Sequence, residues 1–171
     1  GEEKPFSGED RILVDSPKDV ATYDLKPQMS APTVLEKLSA KLSDDTYSVY
    51  IVNFANPDMV GHTGKYPAAV EAMEHIDYCL GALKEICLKE DISMLITADH
   101  GNCDQMTYPD ESPHTSHSNA LVPLILVQNG LENSKVNINS ENIALKDVAP
   151  TIVHLLGLDK PDEFTGNSVF E

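Results

Sequence analysis

Positive charge is scarce in this sequence of 171 residues, where 12 lysine and arginine residues stand against 28 aspartate and glutamate residues and the formal net charge is -16. Nucleic acids and anionic membranes are not attracted to such a field, so neither is an expected partner. Arg11 is the only arginine. Because planar recognition of phosphate or carboxylate usually recruits several guanidinium groups, an anionic substrate would have to be clamped by groups elsewhere.

Cysteine is also sparse, and long apolar runs are missing. The three cysteines, Cys79, Cys87 and Cys103, cannot all pair with one another and form no CxxC motif, which favours reduced thiols over a disulfide framework. No apolar run approaches the roughly 20 residues that span a bilayer, and no signal-peptide pattern opens the chain. We therefore expect a cytoplasmic protein with no membrane partner.

What the sequence does contain is the composition of one globular domain or a large part of one, with 41% hydrophobic and 23% charged residues. The chain opens with Gly1 and a polar stretch. This opening predicts a linker over residues 1–10, ahead of a domain over residues 11–171. The missing initiator methionine also suggests a fragment of a longer protein.

Apolar patterning predicts strands alternating with helices, which indicates the α/β class. Capping and proline signals predict helices from Ser30 to about Leu42, from Pro67 onward, and over residues 147–156 with Gly157 as the stop. The run at residues 93–98 is typical of a buried strand in a parallel sheet. Further strands are expected at residues 11–14, 47–54 and 122–127, with loops at 56–64 and 100–119 and a polar region to about residue 141.

Candidate metal ligands follow the predicted strands. Asp99 and His100 come directly after the strand at 93–98, and open α/β sheets carry their chemistry at such strand ends. Asp58 and His62 lie in the preceding post-strand loop, and His117 lies in the loop that follows. Mixed carboxylate and imidazole sets suit zinc, manganese, iron or cobalt. Asp58, His62 and His117 would make one three-ligand site, and Asp99 with His100 half of another.

Structural explanations compete with each of these assignments. Asp58 after a proline is often only a turn-former, and His62 beside a glycine is often only a solvated loop residue. Spacing alone does not choose between His114 and His117. For four other residues with reactive or ligating side chains, a structural or simply exposed role is favoured over a functional one: His75, His154, Cys103 and Lys18. The joint occurrence of the loop ligands carries the metal hypothesis.

Several blocks resemble the cofactor-independent phosphoglycerate mutases of the alkaline phosphatase superfamily, and together they extend over nearly the whole chain. The two most specific are residues 53–64 (NFANPDMVGHTG) and 97–102 (TADHGN). The others are residues 114–117 (HTSH), 16–18 (SPK) with 20–24 (VATYD) and 27–30 (PQMS), and 149–157 (APTIVHLLG). The chain resembles only the C-terminal portion of that family's phosphatase-like domain. The implied fold is an incomplete three-layer, mostly parallel sheet with helices on both faces.

The resemblance implies two divalent metal ions, most often manganese, with zinc or cobalt as alternatives. It assigns Asp58, His62 and His117 to one ion, Asp99 and His100 to the other, and a phosphoryl contact to the catalytic candidate Lys18. The implied reaction, in glycolysis and gluconeogenesis, interconverts 2-phosphoglycerate and 3-phosphoglycerate through a phosphoserine intermediate. The nucleophilic serine and the arginine-rich clamp would lie outside this chain, and a monomer is expected.

Two local departures from the family pattern stand beside these matches. Asp19 separates Lys18 from the block at residues 20–24, and residues 118–123 (SNALVP) shift an asparagine while keeping the distance to Pro123. Two alternative functions stay open on the sequence. One is another member of the superfamily, a phosphopentomutase or a phosphatase. The other is a metal-binding or interaction module that performs no chemistry.

Overall fold

The computed structural model describes residues 4–44, 46–131, 138 and 142–170. Its chain forms two compact units: the first runs to Leu83 and includes Gly101–Ala120, and the second contains Lys84–His100 and the chain from Leu121 onward. No helix among the described residues is long and apolar enough to cross a membrane. The elements are α1 (Ala31–Leu42), α2 (Asn56–Gly61), α3 (Tyr66–Lys89), β1 (Met94–Thr97), β2 (Leu124–Val127) and α4 (Val148–Leu155), with short 3₁₀ turns at Tyr23–Leu25 and Leu145–Asp147.

The core of the first unit is formed by helices packed around α3. Val60 of α2 is fully buried with Met29 and Ala72, and Ala31 of α1 is buried with Ile76 and Cys79 in a second cluster. Complete burial of a side chain such as Val60 contributes about 1.5–3 kcal/mol. These contacts fix α2 against α3, and α2 carries two of the candidate ligands.

A proline lies in the first turn of each of α1, α2 and α3, and the sequence predicts a helix at α1 and α3 but a loop at α2. The predicted helices from Ser30 and Pro67 are confirmed as α1 and α3. The loop predicted at residues 56–64 is wrong in its first half, because Asn56–Gly61 is helical. Pro57 lies in the first turn of α2, where a missing N–H and a fixed φ favour a helix start.

The strands predicted at residues 11–14 and 47–54 are not formed. Neither segment joins a ladder among the described residues, and Leu13 and Ile51 are 86% and 90% exposed. Strand propensity measures how well a side chain fits a half-buried pleated surface, and it cannot supply the neighbouring strand that creates such a surface. These two predictions are therefore wrong for this chain.

The second unit contains a two-stranded antiparallel sheet in which Met94 pairs with Val127 and Thr97 with Leu124. The strands predicted near residues 93–98 and 122–127 are thus present. Because β1 pairs antiparallel with β2 and is only partly buried, the described residues do not confirm the parallel sheet predicted for it. A parallel neighbour needs a crossover connection, usually a helix, whereas no helix lies between residues 98 and 123. The architecture at this level is α/β with a small antiparallel sheet.

Helix α4 ends as predicted at Gly157, which adopts a φ of +68°. The Gly157 N–H donates to the His154 carbonyl at 2.9 Å, and the Leu158 N–H donates to the Val153 carbonyl at 3.1 Å. This pair of bonds closes the helix as a glycine C-cap motif does. Most of the polar region predicted to extend to about residue 141 lies outside the described residues.

A buried carboxylate ties the start of α4 to the C-terminal segment. Asp147 Oδ2 accepts the Ala144 N–H and its Oδ1 accepts the Asn167 N–H, both at 2.8 Å. The Asp147 carbonyl accepts the Thr151 hydroxyl at 2.6 Å, and that hydroxyl oxygen accepts the Val169 N–H at 3.0 Å. The N–H groups of Asn167 and Ala144 lower the pKa of Asp147, because they stabilise its charged form.

Replacing Asp147 by alanine should lower the free energy of unfolding by about 2–4 kcal/mol at pH 7, since two backbone N–H groups lose a charged acceptor. A lowered folded-state pKa adds stability above the unfolded value of about 3.9, and this stability is lost as the pH falls through the folded value. Urea unfolding at several pH values should therefore show the gap between wild type and variant narrowing below about pH 4. A gap independent of pH would contradict the charged-acceptor role.

Candidate metal centre

Helix α2 places two potential ligands one turn apart. Asp58 lies in its first turn, and His62 follows the helix as its C-cap, with its N–H donating to the Asp58 carbonyl at 3.0 Å. Residues four apart project from the same helix face. His62 Nε2 consequently lies 3.1 Å from Asp58 Oδ1.

The third ligand comes from the long loop of the same unit. His117 Nε2 lies 3.1 Å from Asp58 Oδ1 and 3.2 Å from His62 Nε2. Among the described residues, Asp58, His62 and His117 form the one group of three or more histidine, cysteine or acidic side chains that could hold a metal ion together. The structure thus brings together the set that the sequence grouped as one site.

The spacing of these three atoms fits a transition-metal ion. With bonds of about 2.1 Å, neighbouring ligand atoms lie about 3.0 Å apart at octahedral angles and about 3.4 Å apart in a tetrahedron. The observed edges of 3.1, 3.1 and 3.2 Å fall between these values. One carboxylate and two imidazoles suit manganese, zinc or cobalt, so the donor set also fits.

The backbone fixes the tautomer of His62. Its Nδ1 lies 2.7 Å from the Thr115 carbonyl oxygen, which can only accept a hydrogen bond. Nδ1 therefore carries a proton, and in the neutral form of the ring the lone pair of Nε2 would face Asp58 and His117. Metal-binding histidines are commonly oriented in this way by a bond from the other ring nitrogen.

The ligands are surrounded by residues to which the sequence assigned no role in metal binding. Asn102 Nδ2 donates to Asp58 Oδ1 at 2.8 Å and to the Asp58 carbonyl at 3.3 Å. Beside His117, the Ser118 hydroxyl donates to Asp104 Oδ2 at 2.6 Å, and the Ser118 N–H donates to the Gly101 carbonyl at 2.9 Å. Asn102 lay within a matched block, and that position was the only available signal.

Cys103, considered as a ligand on position alone, points elsewhere. Its thiol donates to the Pro57 carbonyl at 2.9 Å. Burial, followed by the charges of Asp104 and Asp58, raises the pKa of this thiol, so the neutral form is favoured over the thiolate that binds metals. Cys103 therefore supports α2.

The structure also distinguishes His114 from His117. His114 is buried, donates its backbone N–H to the Met106 carbonyl at 3.0 Å, and packs against Tyr108 with ring centroids 4.7 Å apart and ring planes tilted by 60°. It does not belong to the three-ligand group. His114 thus has a packing role that spacing could not reveal.

The remaining site candidates lie in different settings. Asp99 and His100 face each other in the second unit, with Oδ1 and Nε2 3.7 Å apart. The Lys18 side chain is 81% exposed and its ammonium pairs with Asp15 Oδ2 at 2.6 Å, whereas the intervening Asp19 pairs with Lys26 at 2.9 Å. The inserted Asp19 therefore forms its ion pair with Lys26 and not with Lys18.

Comparison with known proteins agrees with a metal-dependent α/β enzyme class. The metalloenzyme superfamily model matches residues 1–160, and the chain belongs to that superfamily. It is 48% identical over 171 residues to the 2,3-bisphosphoglycerate-independent phosphoglycerate mutase of Syntrophotalea carbinolica, covering 100% of this chain and 32% of that protein. A Francisella tularensis subsp. tularensis protein of the same name is also 48% identical, covering 99% of this chain and 32% of its own length.

A solved structure leads to the same group of proteins. The fold is similar to that of Leishmania mexicana phosphoglycerate mutase in crystal structures at low cobalt concentration, with a TM-score of 0.82 and 29% sequence identity. The match covers 92% of this chain and 31% of that one. The chain thus spans about a third of the length of the relatives it matches.

Proposed function

We propose that this chain is the C-terminal, metal-binding part of a phosphoglycerate mutase that interconverts 2-phosphoglycerate and 3-phosphoglycerate. The observation that carries the proposal is the triangle of Asp58, His62 and His117, whose ligand atoms lie 3.1–3.2 Å apart in a chain 48% identical to such mutases. The proposal places the protein in glycolysis and gluconeogenesis, in the cytoplasm and as a monomer.

Two divalent ions are proposed, with manganese the first choice and zinc or cobalt as alternatives. Asp58, His62 and His117 hold one ion, and Asp99 with His100 contribute to the other. Among the described residues, Asp99 and His100 do not belong to any group of three candidate ligands. The second site is therefore proposed to be completed by segments outside this chain, as is the larger, mostly parallel three-layer sheet.

The residues of this chain have separable tasks in the proposed reaction. Asp58 supplies negative charge and His62 and His117 supply neutral nitrogen donors, so the first site retains positive charge for a phosphoryl group. The metals, when bound, would neutralise phosphate charge and lower the pKa of an attacking hydroxyl. Lys18 is proposed to exchange Asp15 for a phosphoryl oxygen, which its exposure allows. The nucleophilic serine and the cationic clamp on the glycerate lie outside this chain in the proposal.

The test is an assay of 3-phosphoglycerate conversion by a protein of the relatives' full length that carries this chain. Turnover within the usual enzymatic range of about 1–1000 per second is expected with manganese, and a loss of at least about 100-fold on chelation. Turnover that survives complete removal of divalent metal would overturn the proposal.

In the same assay Lys18→Ala should reduce turnover while the melting temperature stays nearly constant.

A further inference from the structure

Asn102 occupies a position that joins the separate segments of the proposed metal site. It is 5% exposed, and its side chain reaches Asp58 on α2 across 44 positions of sequence. Its chain neighbour Gly101 accepts the Ser118 N–H at 2.9 Å, directly beside His117. One residue thus contacts the first ligand through its side chain and lies next to the bridge that holds the third.

The orientation of the Asn102 amide is set by Asp58 and not by its other neighbours. Nδ2 donates to the carboxylate at 2.8 Å, which leaves Oδ1 buried without a hydrogen-bond partner among the described residues. An unpartnered buried carbonyl costs free energy, so the bond from Nδ2 to Asp58 must offset that cost in this orientation. The reversed amide would set an oxygen against the carboxylate, so the donor to Asp58 decides the orientation.

Gly61 closes the opposite side of this amide. A Cβ built on Gly61 would overlap Asn102 Oδ1 and lie 2.8 Å from its Cγ. The Asn102 side chain is therefore wedged between the glycine and the carboxylate.

We infer that Asn102 is a positioning residue that holds the Asp58 carboxylate in its metal-binding orientation; the inference rests on the metal site of the proposed function. Asp58 Oδ1 accepts the Asn102 amide N–H at 2.8 Å and lies 3.1 Å from both His62 Nε2 and His117 Nε2. Partners of ligating carboxylates orient the ligand and typically affect metal affinity by about 10–100-fold. Asn102 contacts no reacting group in this assignment and acts through Asp58.

The test uses Asn102→Leu, which keeps the side-chain size and removes the donor. Calorimetric titration of the metal-free 171-residue chain with manganese should show about 10–100-fold weaker binding by the folded variant. The cobalt-loaded variant should also show a changed visible absorption spectrum. Equal manganese affinity and an unchanged cobalt spectrum would overturn the inference.

A matched control is available in the second unit. Asn129 Nδ2 donates to the Leu88 carbonyl at 2.9 Å and to Asp91 Oδ1 at 2.8 Å, so it uses the same kinds of acceptor as Asn102, a backbone carbonyl and an aspartate carboxylate. Asn129→Leu should leave manganese affinity unchanged. An equal loss of affinity in both variants would also overturn the inference, because the effect would then not depend on Asp58.

A second variant decides the question if Asn102→Leu does not fold. Gly61→Ala displaces the amide without removing it and should also weaken manganese binding, whereas Gly81→Ala, with open space at its Cβ, should not. Wild-type affinity in Gly61→Ala would overturn the inference. If the proposed metal site itself is wrong, the wild-type chain will bind no manganese through His117. That result differs from failure of the inference, in which the wild-type chain binds manganese and Asn102→Leu binds it equally well.

Discussion

Replacing His117 by alanine should largely remove divalent-metal binding at the site formed with Asp58 and His62. The variant loses one of three ligands, and the two that remain, Asp58 and His62, come from a single helical turn. Removing a metal ligand should lower metal affinity more than removing a residue that only hydrogen-bonds to a ligand. Manganese affinity should therefore fall by more than about 100-fold. Calorimetric titration of the metal-free chain measures this, and His62→Ala should behave in the same way.

Two other histidines serve as controls for the His117 variant. His154 is exposed on α4, so His154→Ala should leave manganese binding and stability unchanged. His114 is buried against Tyr108, so His114→Ala should lower the melting temperature and leave affinity intact in the folded fraction. The assignment fails if the wild-type chain binds no divalent ion near neutral pH, or if His114→Ala abolishes divalent-metal binding while His117→Ala keeps it.

The helices could be predicted from sequence because their signals are local. Pro32 and Pro67 sit in the first turns of α1 and α3, and Gly157 ends α4 at a positive φ, each a property of a few neighbouring residues. The direction of β1 could not be predicted in this way. A buried apolar run has the same appearance in parallel and antiparallel sheets, and only the pairing of Leu95 with Leu126 decides between them.

In the candidate metal centre, too, local relations could be predicted from the sequence and long-range contacts could not. Asp58 and His62 are four positions apart, so a helical turn brings them together once α2 is recognised as a helix. The bonds from Asn102 to Asp58 and from His62 to Thr115 join residues 44 and 53 positions apart, and they depend on the path of an irregular loop. No residue pattern encodes that path, so the ligands could be proposed from sequence and their supporting contacts could not.

The 171-residue chain alone should show no measurable conversion of 3-phosphoglycerate to 2-phosphoglycerate, even with manganese bound. Phosphoryl transfer in the proposed mechanism needs a nucleophile and a cationic clamp on the glycerate, yet Arg11 is the only arginine here and its guanidinium is paired with Glu9. The chain also spans only about a third of the length of its mutase relatives. The proposed segments outside it supply both groups.

The measurement compares the isolated chain with a full-length protein that carries it, with the Asp58, His62 and His117 site equally occupied in both, as checked by calorimetry. The ratio of turnover numbers should exceed about 10⁴, because the nucleophile and the positioning of the substrate are lost together. The full-length His117→Ala variant is the matched control, since it keeps the nucleophile and loses the metal site. Turnover by the isolated chain at the ordinary enzymatic rate of at least about 1 per second would show that the nucleophile lies within residues 1–171.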